Sequence, residues 1–109
     1  MTSSIHISEF ITRNPVEVYK YASNPDNLLM WAAGITPDMQ IRFATQNYYG
    51  VLDHWVTVNG RTFYNPMRVI EHGAGSEVVF TLRGDPEIDP ADEAAIIADL
   101  ATLKSILES

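Results

Sequence analysis

Few side chains in this sequence can move a proton near neutral pH or hold a metal, and their spacing narrows the uses. The three histidines, His6, His54 and His72, lack any i, i+4 arrangement on a helix, so no metal site is expected. There is no cysteine, which excludes thiolate nucleophiles, disulfides and Cys-based metal centres. No GxSxG elbow occurs. Gly73-Ala74-Gly75 joins two expected strands and lacks the helix that a phosphate-cradling loop needs, so no cofactor is expected. What remains is a short set of acid–base candidates. His54 alternates with Leu52, Val56 and Val58, which places it on the apolar face of a strand, where burial makes an imidazole a sensitive acid or base. A core histidine bonded to a neighbour is the commoner outcome. Glu9 alternates with Ile5, Ile7 and Ile11; unbroken alternation turns its carboxyl inward with a raised pKa, although a bulge taking it to solvent is commoner. Asp53, on the face opposite His54, is expected to pair with Arg68 or Arg61 as a structural ion pair rather than to act as a catalytic carboxylate.

These residues need elements to position them. Residues 4–12 alternate and are rich in β-branched types, predicting a first strand. Asn14-Pro15-Val16-Glu17 is a helix start, with Asn14 as cap, Pro15 in the first turn and Glu17 where a capping box puts its acid. Val18, Tyr19 and Ala22 give that helix its apolar stripe, and Asn24-Pro25-Asp26 opens a second short helix through Leu28–Trp31. Strand patterning begins at Met39, Ile41 and Phe43 and continues from Tyr49 to Val58. Asn59-Gly60 is a hairpin turn, since both residues accept positive φ. The return strand runs from Arg61 to Ile70, with Pro66 marking a bulge or an unpaired position. Ser76–Leu82 is the last strand. Asp89-Pro90 starts the longest helix, in which Ile96, Leu100, Leu103 and Leu107 share one face over about 27 Å.

The 109 residues suit one domain, 1–109, with 46% hydrophobic residues and a formal net charge of −7. The basic residues are scattered, so no nucleic-acid surface is expected, and anionic membranes are disfavoured on the same ground. No apolar run is long enough for a membrane span, and MTSSIHISEF lacks the basic and apolar regions of a signal peptide, so a cytoplasmic protein is the expectation.

The order β, α, α, β meander, long α, with the words Asn14-Pro15-Val16-Glu17-Val18-Tyr19, Asn24-Pro25-Asp26-Asn27-Leu28 and Trp31-Ala32, resembles the START-like or SRPBCC (helix-grip) superfamily of polyketide cyclases and dehydrases, lipid-transfer proteins and pollen allergens. Gly50-Val51-Leu52-Asp53-His54, Asn65-Pro66-Met67-Arg68-Val69, Gly75-Ser76-Glu77-Val78-Val79-Phe80-Thr81-Leu82 and Asp99-Leu100-Ala101-Thr102-Leu103-Lys104 are similar to a small bacterial subgroup of it. The resemblance implies an α+β fold in which a curved antiparallel sheet grips the C-terminal helix and holds a small hydrophobic or amphipathic ligand between them. Only seven residues separate Trp31 from Met39, leaving room for about five or six strands rather than the usual six or seven. A shorter meander exposes an edge, for which a second copy of the chain is the candidate cover. With that fold, the cavity lining is expected to comprise Trp31 at the mouth, Phe43, Tyr49, Leu52, His54, Val56, Tyr64, Phe80, Ile96, Leu100 and Leu103, with Tyr48 among the surrounding aromatics. His54 and Glu9 are the catalytic candidates. Three functions stay open: a binding module, a polyketide-cyclase-like enzyme working largely by positioning, and a ligand-free interaction protein.

Overall fold

The computed structural model describes residues 2–109. The first strand, β1, spans Ser3–Ile11, and its alternation leaves Ile5, Ile7, Glu9 and Ile11 on one face. Helix α1, Pro15–Ala22, starts where the sequence places it: Asn14 accepts a hydrogen bond from the Glu17 backbone N–H at 2.9 Å and donates to the Glu17 carboxylate at 2.7 Å. Those two bonds satisfy one of the orphan donors that every helix start carries. Val18 and Ala22 are completely buried beneath it. Asn24 caps a 3₁₀ turn, Pro25–Asn27, that leads into the single turn α2, Leu28–Trp31.

Strands β2 (Gln40–Phe43), β3 (His54–Val58) and β4 (Arg61–Asn65) form one antiparallel sheet in that order. A second sheet has the order β1, β6 (Gly75–Gly84), β5 (Met67–His72), also antiparallel. Asn59 at φ 51° and Gly60 at φ 75° make the β3–β4 turn that the Asn-Gly pair predicts. Two features depart from the sequence expectation. The return strand 61–70 is divided at Pro66, which has no N–H for a ladder, so one curved surface is built from two three-stranded sheets. They stay joined by Thr81, whose N–H donates to the Pro66 carbonyl at 3.0 Å. Secondly, strand 49–58 begins only at His54. Residues 45–51 instead wrap around Asn47, whose amide donates to the carbonyls of Thr45 and Val51 and accepts from the N–H groups of Tyr49 and Val51. A side chain that satisfies four local backbone groups limits the ladder there to a short pairing with β5, the bridge between Val51 and Arg68.

Helix α3, Pro90–Glu108, is capped by Asp89, which accepts from the Ala91 N–H at 2.9 Å. Leu100 and Leu103 are 1% and 0% exposed, with Ile96 and Leu107 half-buried beside them, as their spacing predicts. Removing either buried leucine side chain would cost about 2–5 kcal/mol. The helix packs on β1, β6 and α2. Its C-terminal end is clipped to the end of β1: Lys104 donates to the Phe10 carbonyl at 2.7 Å, and Glu108 accepts from the Thr12 N–H at 2.8 Å. The hydrogen bond from Lys104, followed by that from Thr12, pulls the Glu108 carboxyl down to about 2. Part of the open edge of β1 is thus covered by the chain itself. Among the described residues no helix is long and apolar enough to cross a membrane.

Gly50 ties the Asn47 loop to the second sheet. Its φ is 72°, its carbonyl accepts from the Val69 N–H at 2.9 Å, and a Cβ there would run into the Val69 carbonyl oxygen. Both the left-handed conformation and backbone contact exclude a side chain. Gly50→Ala is expected to lower stability by about 2 kcal/mol or more, read as the shift in a urea unfolding midpoint at unchanged slope. A midpoint equal to that of the parent would show that the loop does not need this contact.

Candidate functional site

Register decides which side chains meet. Phe43 pairs with His54 and His54 with Asn65, while Ile41 pairs with Val56 and Val56 with Phe63, so these six share the concave face. In the other sheet, Ile7 pairs with Phe80, Met67 with Phe80, and Val69 with Val78 on the same side. The core is continuous through Ile11, Leu52, Met67, Val69, Val78, Phe80, Leu100 and Leu103. Beyond it, the inward-facing Ile7, Ile41, Phe43, Leu82 and Ile96 are only half-buried, and Phe63 is 45% exposed. Helix α3 packs on β1, β6 and α2, and the inward-facing apolar side chains of β2–β4 are left only partly covered.

Two polar groups are buried in or beside this apolar core. His54 is 7% exposed, with the Phe43 and Phe80 rings at 5.4 and 6.0 Å. Its Nδ1 lies 3.0 Å from the Leu52 carbonyl, which can only accept, so Nδ1 carries the proton and Nε2 presents a lone pair. Burial pushes its pKa below the ordinary 6.5, and the Leu52 hydrogen bond and Asp53 only partly offset this. The ring is therefore a neutral acceptor and base. The second group is the Trp31 indole Nε1–H, fully buried and without a hydrogen-bond partner among the described residues. Trp31, expected at the mouth, is 5% exposed and belongs to the core.

Placement of the other candidates is mixed. Leu52, Val56, Phe80, Leu100 and Leu103 are buried in or beside the core, with Phe43 and Ile96 at its margin. Tyr49 is elsewhere: the Asn47 loop carries Tyr48 and Tyr49 outward, 103% and 85% exposed, beside a hollow of about 660 Å³ that Val16, Tyr19 and Lys20 complete. Tyr64 is also elsewhere, because its register partner is Trp55 and both rings stack at 5.2 Å on the convex face. Glu9 shares the inner face of β1 and is half-buried, but it lies in a different sheet from His54 and no hydrogen bond joins the two.

Asp53 does form the expected pair with Arg68, and it does more. Its carboxylate, 7% exposed, also accepts from the Tyr64 hydroxyl and, at 3.0 Å, from the Met67 N–H. Burial opposes its charge, but the hydrogen bonds from Tyr64, Met67 and Arg68, with the charge of Arg68, prevail and hold its pKa below the ordinary 3.8. The same hydrogen bond pushes the Tyr64 hydroxyl above 10.0. Sequence patterning missed two further residues. Asp99 on α3 accepts from the Ala33 N–H at 3.1 Å, fixing the end of α2 to the helix, and burial pushes its pKa up. Asn47 also holds Tyr19, whose hydroxyl accepts from the Asn47 N–H at 3.0 Å. An asparagine before paired tyrosines was the available signal for such a loop.

No protein-family profile and no curated protein sequence matches this chain. Solved structures do. An AHSA1-like protein from Rhizobium etli superposes with a TM-score of 0.73 at 13% identity, over 100% of this chain and 84% of its own. DynU16, from the dynemicin biosynthetic locus, gives 0.69 at 11% identity over 97% of this chain, which spans 47% of it. Ara h 8.0201 gives 0.56 at 12% identity, over 99% and 96%. The fold is therefore the helix-grip fold of the SRPBCC type, α+β with two antiparallel sheets and a C-terminal helix. At these identities the likeness defines the fold and leaves activity to the residues themselves.

Two outcomes follow for the site's electrostatics. Asp53→Ala should lower stability by about 1–3 kcal/mol at pH 7, since it leaves the buried Met67 N–H without a partner; an unchanged chemical-denaturation midpoint would count against its role. For His54 the unfolded state takes up a proton more readily than the folded one. Stability should therefore fall as pH drops below 6.5 and level off below the folded pKa. His54→Phe should remove that component of a stability-versus-pH curve, and its persistence would assign the titration elsewhere.

Proposed function

We propose that this protein is a binding module for a small hydrophobic or amphipathic molecule, held beside α3 against the partly covered concave faces of the two sheets. Partly exposed Ile41, Phe43, Phe63, Leu82 and Ile96 offer it apolar surface, and Leu52, Val56, Phe80, Leu100 and Leu103 form the floor. The observation that carries this reading is the Trp31 indole N–H, buried without a partner. An unsatisfied buried donor costs about 1–3 kcal/mol, a cost that a ligand acceptor would remove. His54 Nε2 is the complementary acceptor. Ligand pockets commonly combine apolar walls with a few such polar groups.

A second reading, a polyketide-cyclase-like enzyme, is favoured by one feature: a neutral imidazole with a free Nε2 between two aromatic rings can take a proton from a bound substrate. DynU16 is described as a protein of a biosynthetic locus, which agrees with that chemistry. Glu9 has no contact with His54 that would make the two a catalytic pair. A second copy of the chain remains the candidate cover for the free part of the sheet edges.

Native mass spectrometry of gently purified protein should show an adduct of small-molecule mass, and an apolar fluorescent dye should compete with it. Trp31→Phe keeps the apolar volume and removes the donor, so it should leave stability equal or higher while weakening retention of the adduct about tenfold. Protein that is empty and binds no dye would overturn the binding role. Turnover of the retained molecule that disappears in His54→Gln with binding intact would establish the enzyme.

A further inference from the structure

Register places one polar pair on the otherwise apolar concave face. His54 on β3 stands directly opposite Asn65 on β4, and side chains so paired lie about 4.5–5.5 Å apart at Cβ. Their surroundings are apolar. Phe43 is the partner of His54 on β2, the Phe80 ring lies 6.0 Å from the imidazole, and Phe63 shares the face of Asn65 two positions back along β4. The Leu52 carbonyl engages only Nδ1 of the imidazole, which leaves the Nε2 lone pair unused. Asn65 is half-buried, and its amide has no hydrogen-bond partner among the described residues. Phe63 and Asn65 also line an opening of about 640 Å³ between β4 and the end of β6, so open space adjoins the pair. An unused acceptor thus stands beside an amide that can donate.

Building on the binding role above, we propose that Asn65 and His54 together read one hydroxyl group, so that the molecule held on the concave face is an apolar alcohol. A hydroxyl is donor and acceptor at once. Its O–H would donate to His54 Nε2, while its oxygen accepts from the Asn65 amide N–H. A ketone of the same shape can accept from Asn65 but leaves Nε2 without a donor. A site that bonds a hydroxyl discriminates against the analogue that lacks it, because its own polar group is then left unpaired. A carboxylate also brings no proton, and two neutral groups do not offset the desolvation of its charge. The apolar body of the alcohol would lie along Phe43, which is half-buried, and Phe63, which is 45% exposed.

The test is an amide-resolved NMR titration of the whole protein with 2-octanol, with 2-octanone and octanoate as parallel arms. 2-Octanol should shift the amides of His54 and Asn65 and bind about tenfold more tightly than 2-octanone, with octanoate weaker than either. His54→Phe should abolish the preference by weakening 2-octanol about tenfold and leaving 2-octanone unchanged. Asn65→Leu should weaken both about tenfold, since both accept from its amide. Asn65 makes no side-chain hydrogen bond within the fold, so Asn65→Leu suffices if His54→Phe does not fold. Equal affinity for 2-octanol and either of the other probes overturns the proposal and leaves the binding role standing, as does unchanged 2-octanol affinity in Asn65→Leu. Absence of any shift with all three probes overturns it too, and binding of an apolar dye then decides whether the binding role falls with it.

Discussion

Dividing a long strand at a proline leaves the Met67 N–H outside either sheet's ladder, and the buried carboxylate of Asp53 accepts it. Met67, the first residue after the break, gives its N–H to Asp53 and receives the Leu52 N–H on its carbonyl at 2.8 Å. Tyr64, on the other side of the break, gives its hydroxyl to the same carboxylate, and Arg68 supplies the charge that makes a buried anion tolerable. One side chain from the residue just before β3 thus sets how β3, β4 and β5 meet. His54 follows Asp53 directly, so the alternation of the strand sends the carboxylate to the junction and the imidazole inward. The position of the one inward-facing imidazole is a consequence of where the ion pair must be.

The same junction shapes the interior. A continuous strand would keep β4 alongside β6; the break lets the three-stranded sheet β2–β4 swing away. Meanwhile α3 is held to the other sheet by Lys104 and Glu108 at one end and to α2 by Asp99. The helix cannot follow the departing sheet, so the apolar face of β2–β4 is left partly uncovered. That partly uncovered apolar surface is a result of the break at Pro66.

The sequence makes the elements legible where local chemistry decides them. Asn14, Asp89 and Asn59-Gly60 act within two or three residues of themselves, and each does what its type predicts. The four-three-four spacing of Ile96, Leu100, Leu103 and Leu107 is legible for the same reason. What could not be read is competition. Residues 49–53 have strand patterning, but Asn47 offers their backbone a nearer set of partners, and nothing in the pattern measures that. Tyr64 has the composition of a pocket residue, yet its face follows from its register with Trp55, which depends on the turn, and its hydroxyl goes to a carboxylate eleven positions earlier in the sequence. Trp31 has an amphipathic side chain that suits a mouth, and the depth at which α2 docks is a property of α3 and the sheet together. The site was therefore legible as a list of inward positions on β3 and α3 and obscure wherever a side chain's direction depended on distant parts of the chain.

The two buried polar groups limit the ligand chemistry that the concave side could serve. Inside, the donor is a neutral indole and the acceptor a neutral imidazole whose protonation burial opposes, so no full charge is available to offset the desolvation of an anion. A phenylalanine in place of Trp31 would fill most of the same volume without an orphan donor; the indole is a net cost to folding unless an acceptor comes to it. Neutral polar groups on an apolar body, a hydroxyl or a carbonyl, meet both requirements there. Burial thus weighs the proposed ligand toward a neutral one.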